Sequence, residues 1–131
     1  MTGIVVRHDG RVLVVQRRDD ERWVPPGGVL ELDETPADGV EREVLAETGV
    51  RVKAEKLTGV YKNMRLGVVT LAFRCSVIDG QAHPTDEARR VAWLEVDDAD
   101  RLMVQATAVR VTDAVSSDGP AVRIHDGINL L

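Results

Sequence analysis

The chain has one cysteine, Cys75, in 131 residues. It can form no internal disulfide and no multi-cysteine metal cluster, and a reducing cytoplasm is its expected setting. Aromatic residues are almost as scarce. Trp23, Tyr61, Phe73 and Trp93 are the full set, so the core has to be aliphatic. No apolar run approaches the roughly 20 residues needed to cross a bilayer, and MTGIVVRHDGR lacks the basic start and long apolar stretch of a secretory signal. Basic side chains are outnumbered, 17 against 22 acidic, giving a formal net charge of −5. An acidic chain is poorly suited to gripping a nucleic acid polymer.

What remains is a folded globular chain, 44% hydrophobic and 30% charged, of a length that fits a single domain over residues 1–131. Its charge is unevenly spread. Residues 31–47 carry seven acids (Glu31, Asp33, Glu34, Asp38, Glu41, Glu43, Glu47) and one base, Arg42, so this segment is −6 and the remaining chain is +1.

Two short Val/Ile/Leu-rich runs, residues 3–8 and 12–17, flank Asp9-Gly10. That dipeptide between β-type runs predicts a hairpin with both turn residues at positive φ. After a polar loop, WVPPGG excludes regular structure and allows a close-approach backbone. A helix follows. Thr35 is its expected N-cap, Pro36 its first residue, Asp38 the third position of a capping-box-like pattern and Gly49 its stop. Ala37, Val40, Val44 and Thr48 share one face, and Gly39 marks a close packing contact. Residues 50–60, bent at Gly59, then 66–78 and 89–94 read as strands. Asp97-Asp98 opens a second helix with Ala99, Leu102, Ala106 and Val109 at core spacing, broken at Ser116–Pro120. The tail has no clear pattern. Strands, helix, strands, helix make a mixed α/β domain.

The acidic helix is more awkward than a solvated face requires. Glu43 and Glu47 stand about 40° apart around the axis, flanking the Val40/Val44 face. Like charges at this spacing destabilise a helix by about 0.2–0.5 kcal/mol, and Glu47 lies in the last turn, where the macrodipole also opposes it. A cation offsets both penalties. From spacing alone the pattern fits a divalent-metal site or a salt-bridge cluster equally.

GGVLELDETPADGVEREVLAETGV resembles the signature of the Nudix hydrolases, G-x5-E-x7-R-E-U-x-E-E-x-G-U with U a bulky aliphatic residue. Gly28, Glu34, Arg42, Glu43, Val44, Glu47, Gly49 and Val50 stand at the required spacings, and Ala46 replaces one expected glutamate. The resemblance implies a Nudix-type α/β/α sandwich with a mixed β-sheet between helices. It further implies metal-dependent hydrolysis of a phosphoanhydride bond, in a nucleoside diphosphate linked to another moiety or in a nucleoside triphosphate. Glu43 and Glu47 would bind Mg²⁺ or Mn²⁺, with the Gly27 carbonyl as a further ligand. Arg42 would pair with Glu34 and orient the carboxylates, and Glu87 would serve as ligand or general base. Glu31, Asp33 and Glu87 are the candidates to replace the carboxylate missing at Ala46. The partner is a small nucleotide diphosphate, and strand edges admit a homodimer. Ala46 motivates the alternative of a catalytically weakened nucleotide-binding or regulatory module.

Outside this signature, Cys75 alternates with Leu71, Phe73 and Val77 and is expected in the core, as is Trp93. His8, His83 and His125 show no ligand spacing. Trp23 and Tyr61 are candidates for stacking on a base or for packing. Arg17, Arg18, Arg22 and Arg65 are candidate phosphate contacts, with Arg17, Trp23 and Arg65 the substrate-binding set.

Overall fold

Residues Thr2–Val5 (β1) are buried along their whole length, as are the first four of Val12–Arg17 (β2). Strands buried on both faces need cover on both sides, which a two-stranded hairpin cannot provide. The expected turn does form, with the Gly10 N–H donating to the Arg7 carbonyl at 2.9 Å and Gly10 at φ 85°. Asp9, however, does not adopt positive φ, and the flanking strands separate into different sheets after a single Val6–Val12 bridge. The predicted hairpin is therefore corrected to a crossover between sheets.

The computed structural model describes residues 1–116 and 119–131. After Trp23–Val24 (β3), helix α1 spans Pro36–Thr48, followed by β4 (Arg51–Asn63), β5 (Val69–Asp79) and β6 (Ala88–Leu94). Helices α2 (Val96–Leu102) and α3 (Gln105–Ser116) precede β7 (Ala121–His125). One sheet is mixed, in the order β1-β5-β4-β7, with β1 parallel to β5, β4 antiparallel to β5 and β7 parallel to β4. The other is antiparallel, in the order β3-β2-β6.

Alternation along the buried strands builds two cores. Ile4, Val12 and Val14 point to one side, where they meet Ala99, Met103, Ala108, Val111 and Ala114 of the α2–α3 region. Val5 and Leu13 point to the other, against Val40 and Val44 of α1 with Val50, Val52 and Cys75. Helices thus cover both sides of the strands, the expected α/β/α arrangement. Cys75 and Trp93 belong to the α1 side, Cys75 fully buried and Trp93 partly so.

Helix α1 forms as its sequence dictates. The Asp38 N–H donates to Thr35 Oγ1 at 3.1 Å, Pro36 opens the helix, and Gly49 ends it at φ 79°. A Cβ on Gly39 would stand 2.8 Å from Leu30 Cδ1 and 3.0 Å from Glu34 Oε1, so glycine there admits the loop against the helix.

The second helix is corrected to two. Leu102, Met103 and Val104 are consecutive apolar residues that one helix face cannot bury together. Met103 turns extended (φ −107°, ψ 151°) and enters the core, while Leu102 stays exposed. The tail is also ordered. Its Ile128 carbonyl accepts from the Ala106 N–H at 2.8 Å, and Gln105 Oε1 accepts from the Leu130 N–H at 2.8 Å, so the tail seals the start of α3. Of the expected break, Ser117 and Asp118 lie outside the described residues. Among the described residues no helix is long and apolar enough to cross a membrane.

Candidate active site

Burial of Gly39, Val40, Val44 and Thr48 fixes the rotation of α1 and turns Glu43 and Glu47 toward the end of the sheets. Two further segments converge there. WVPPGG is bound to the first strand: the Pro26 carbonyl accepts from the Gly3 N–H at 2.8 Å and from Thr2 Oγ1 at 3.0 Å, and the Gly28 N–H donates to the Met1 carbonyl at 3.0 Å. The second segment is the turn before β6. Thr85 Oγ1 donates to the Glu47 carbonyl at 2.8 Å and accepts from the Glu87 and Ala88 N–H groups at 3.2 Å. One hydroxyl therefore fastens the turn that carries Glu87 to the end of α1.

The result is a group of three carboxylates, Glu43, Glu47 and Glu87, each with a ligand-capable oxygen within 4.8 Å of the others. Glu47 bears the electrostatic cost. Burial, with the neighbouring Glu43 next in effect, raises its pKa to about 8, although the Gly27 N–H donates to its Oε1 at 3.4 Å. Two glycines allow close approach here, Gly28 to an acid and Gly27 to the first strand. A Cβ on Gly28 would stand 2.6 Å from the Glu43 carboxyl carbon, and one on Gly27 would collide with the Met1 carbonyl.

Arg42 braces the cluster from outside. Its Nε and Nη2 hold Glu34 at 2.9 and 2.7 Å, and its Nη1 reaches Glu43 Oε1 at 2.7 Å. The guanidinium pulls the Glu34 pKa down to about 2, helped by the Glu31 N–H at 2.9 Å. Of the candidates to replace the carboxylate absent at Ala46, Glu87 joins the cluster. Glu31 stands 3.9 Å from Arg42 instead, and Asp33 is exposed.

Beside the acids opens a cleft of about 790 Å³, lined by Gly27, Gly28, Glu47 and Glu87, by Arg17, Arg18 and Arg110, and by aliphatic side chains such as Val68 and Leu71. The candidate substrate residues divide. Arg17 lines the cleft, held by Asp19 at 2.6 Å. Trp23 does not line it and packs against the α3-side core. Arg65 is exposed in the turn between β4 and β5 and is likewise absent from the lining. Tyr61 is fully buried, its hydroxyl donating to Asp113 Oδ2 at 2.8 Å, which corrects it from a stacking candidate to a core residue. Arg22 is exposed.

Thr85 and Arg110 are the site residues that sequence reasoning missed. Thr85 had a signal in PTDE, where a hydroxyl residue commonly fastens a turn. Arg110 had none, because its helix was expected to be continuous through Met103.

A profile of the NUDIX domain matches residues 1–115. A MutT-like protein of Streptomyces ambofaciens is 49% identical over all 131 residues, which span 85% of that protein. An ADP-ribose pyrophosphatase of Methanocaldococcus jannaschii is 28% identical over 75% of this chain, and the match spans 62% of that relative, less than two thirds of its length. The fold is similar to the crystal structure of an ADP-ribose pyrophosphatase from Streptococcus suis, with a TM-score of 0.76 at 22% identity, covering 95% of this chain and 96% of that one. A domain profile over most of the chain and a close full-length relative agree with the clustered acids: the chain belongs to the Nudix hydrolases and is an enzyme of the pyrophosphohydrolase class.

Proposed function

We propose that the cleft hydrolyses a phosphoanhydride bond in a small nucleotide, a nucleoside diphosphate linked to another moiety or a nucleoside triphosphate, using Mg²⁺ or Mn²⁺. The observation that carries this reading is the carboxylate trio of Glu43, Glu47 and Glu87 within 4.8 Å, of which Glu47 and Glu87 line a 790 Å³ cleft. Hard oxygen donors suit these ions, and the half-buried Glu47, its pKa raised to about 8 by desolvation first and by the neighbouring Glu43 next, is a carboxyl that a divalent cation relieves. Such an ion supplies neutralisation of the phosphate oxygens and a more acidic bound water.

The chain's own residues do the rest. Arg42 fixes the Glu43 carboxylate through its fork to Glu34, as supports of metal ligands do. Gly28 leaves room for the Glu43 carboxylate, and Gly27 lets its loop pack on the start of β1. Arg17 and Arg18 also line the cleft and present positive charge to the phosphates, Arg18 from beside the turn that carries Glu87. Glu87 supplies the third carboxylate that Ala46 withholds, and this favours an enzyme over the alternative of a weakened binding or regulatory module. The substrate named for two of the relatives, ADP-ribose, heads the panel to test. We also infer a cytoplasmic setting, no nucleic acid polymer as ligand, and a homodimer admitted by the edge strands of the two sheets.

The test is product analysis across nucleotide sugars, ADP-ribose, dinucleotides and nucleoside triphosphates with Mg²⁺ or Mn²⁺. Turnover of at least one, lost in Glu47→Gln with the fold intact, is the expected outcome. No turnover of any by the wild type would leave the binding-module reading in its place.

A further inference from the structure

Three arginines line the cleft, and they differ in what neutralises them. Arg17 is paired with Asp19 at 2.6 Å, and Arg18 donates to the Thr85 carbonyl at 2.7 Å. Arg110 has neither kind of partner among the described residues. Its Nε is buried without an acceptor, and its nearest aromatic contact is the Tyr61 ring, 5.6 Å from the guanidinium carbon.

The acid placed to neutralise Arg110, Asp113 one turn further along α3, is already engaged. Arg123 grips both its oxygens at 2.7 Å, and the Tyr61 hydroxyl adds a bond at 2.8 Å. The other groups that sense its charge, the Met1 ammonium and His125, are no counter-ions, and the cleft it lines is otherwise partly aliphatic, with Val68, Val69 and Leu71 among its residues. Burial accordingly lowers the Arg110 pKa. A charge removed from water and left without a counter-ion is costly unless a ligand completes it. Arg110 also enters the cleft from α3, whereas the carboxylate trio comes from α1 and the Thr85 turn.

We propose that Arg110 is a specificity-determining residue that binds a second anionic group of the substrate, a carboxylate or phosphate apart from the diphosphate at the acids. This rests on the pyrophosphohydrolase reading of the same cleft. The guanidinium edge matches two oxygens of either anion, whereas a neutral hydroxymethyl or hydroxyl leaves the charge uncompensated.

Two matched pairs test it, each differing by one anion: UDP-glucuronate against UDP-glucose, and NADPH against NADH. The wild type should favour the anionic member of at least one pair by roughly tenfold or more in kcat/KM, the effect of one charge-assisted contact. In Arg110→Met that ratio should fall towards one, with Arg110→Lys between them. Because the ratio is read, a general loss of activity cancels. Equal kcat/KM for both members of both pairs in the wild type overturns the proposal, and so does a ratio that survives Arg110→Met. Calorimetric binding of the same four compounds to wild type and Arg110→Met gives the ratio without turnover. If none of the four is hydrolysed yet the binding ratio behaves as stated, the Arg110 assignment stands, and the catalytic reading is decided separately by the wider substrate panel.

Discussion

Glu47 is the residue on which the site's electrostatics turn. In the metal-free protein its pKa lies near 8, against 4.5 for an ordinary glutamate, with burial the main cause. Below pH 4.5 the carboxyl is protonated whether the chain is folded or not. Between 4.5 and 8 the unfolded chain gives up a proton that the folded chain keeps, so stability falls as pH rises, and above 8 the whole penalty is present. Thermal melts in chelator should therefore drop across that window, and the slope should flatten in Glu47→Gln. A melting temperature in chelator that held level or rose over the same window would contradict the assignment. Arg42 gives a separate test. Lysine keeps the charge but not the fork that spans Glu34 and Glu43, so Arg42→Lys should weaken Mn²⁺ binding by about 10- to 100-fold in a calorimetric titration.

At the scale of elements, α1 was the most legible part of the chain. Thr35, Pro36, Gly39 and Gly49 each carry a local instruction, and each is obeyed in the structure. The hairpin was misread because Asp9-Gly10 specifies a turn but not which strands pair, and burial of β1 on both faces decided that from a distance. The split between α2 and α3 was hidden for a related reason: Met103 is drawn into a core formed by residues far along the chain. Glu43, Glu47, Arg42 and Glu34 sit on or beside one helix, so spacing could find them. Glu87 reaches them only through the Thr85 tether. Thr85→Val keeps the volume and removes the hydroxyl, and should cost about 1 kcal/mol in urea unfolding. It should also raise the Mn²⁺ concentration needed for half-maximal activity, while an unchanged metal requirement would show that the tether does not position Glu87.

Over the whole molecule, two aliphatic cores on either side of β1 and β2 hold α1 and α3 apart, and the cleft takes Glu47 from the one helix and Arg110 from the other. The scarcity of cysteine and aromatics is explained by this plan, since closely packed valine and alanine fill both cores. Cys75 lies within one of them, its thiol pushed up to about 12 chiefly by burial. It should be inert to a thiol reagent at pH 8 in the native protein and react fully in denaturant. The acidity behind the net charge of −5 also gains a partial location, because two of the seven acids of residues 31–47, Glu43 and Glu47, meet Glu87 beside the cleft. The most direct measurement is nucleotide hydrolysis by chelator-treated protein as Mn²⁺ is added back, with wild type, Glu47→Gln and Glu87→Gln side by side. The account predicts no product before the metal, saturable recovery in the wild type, and at least about a 100-fold deficit in each variant. Hydrolysis that persists in chelator, or variants that recover as the wild type does, would contradict it.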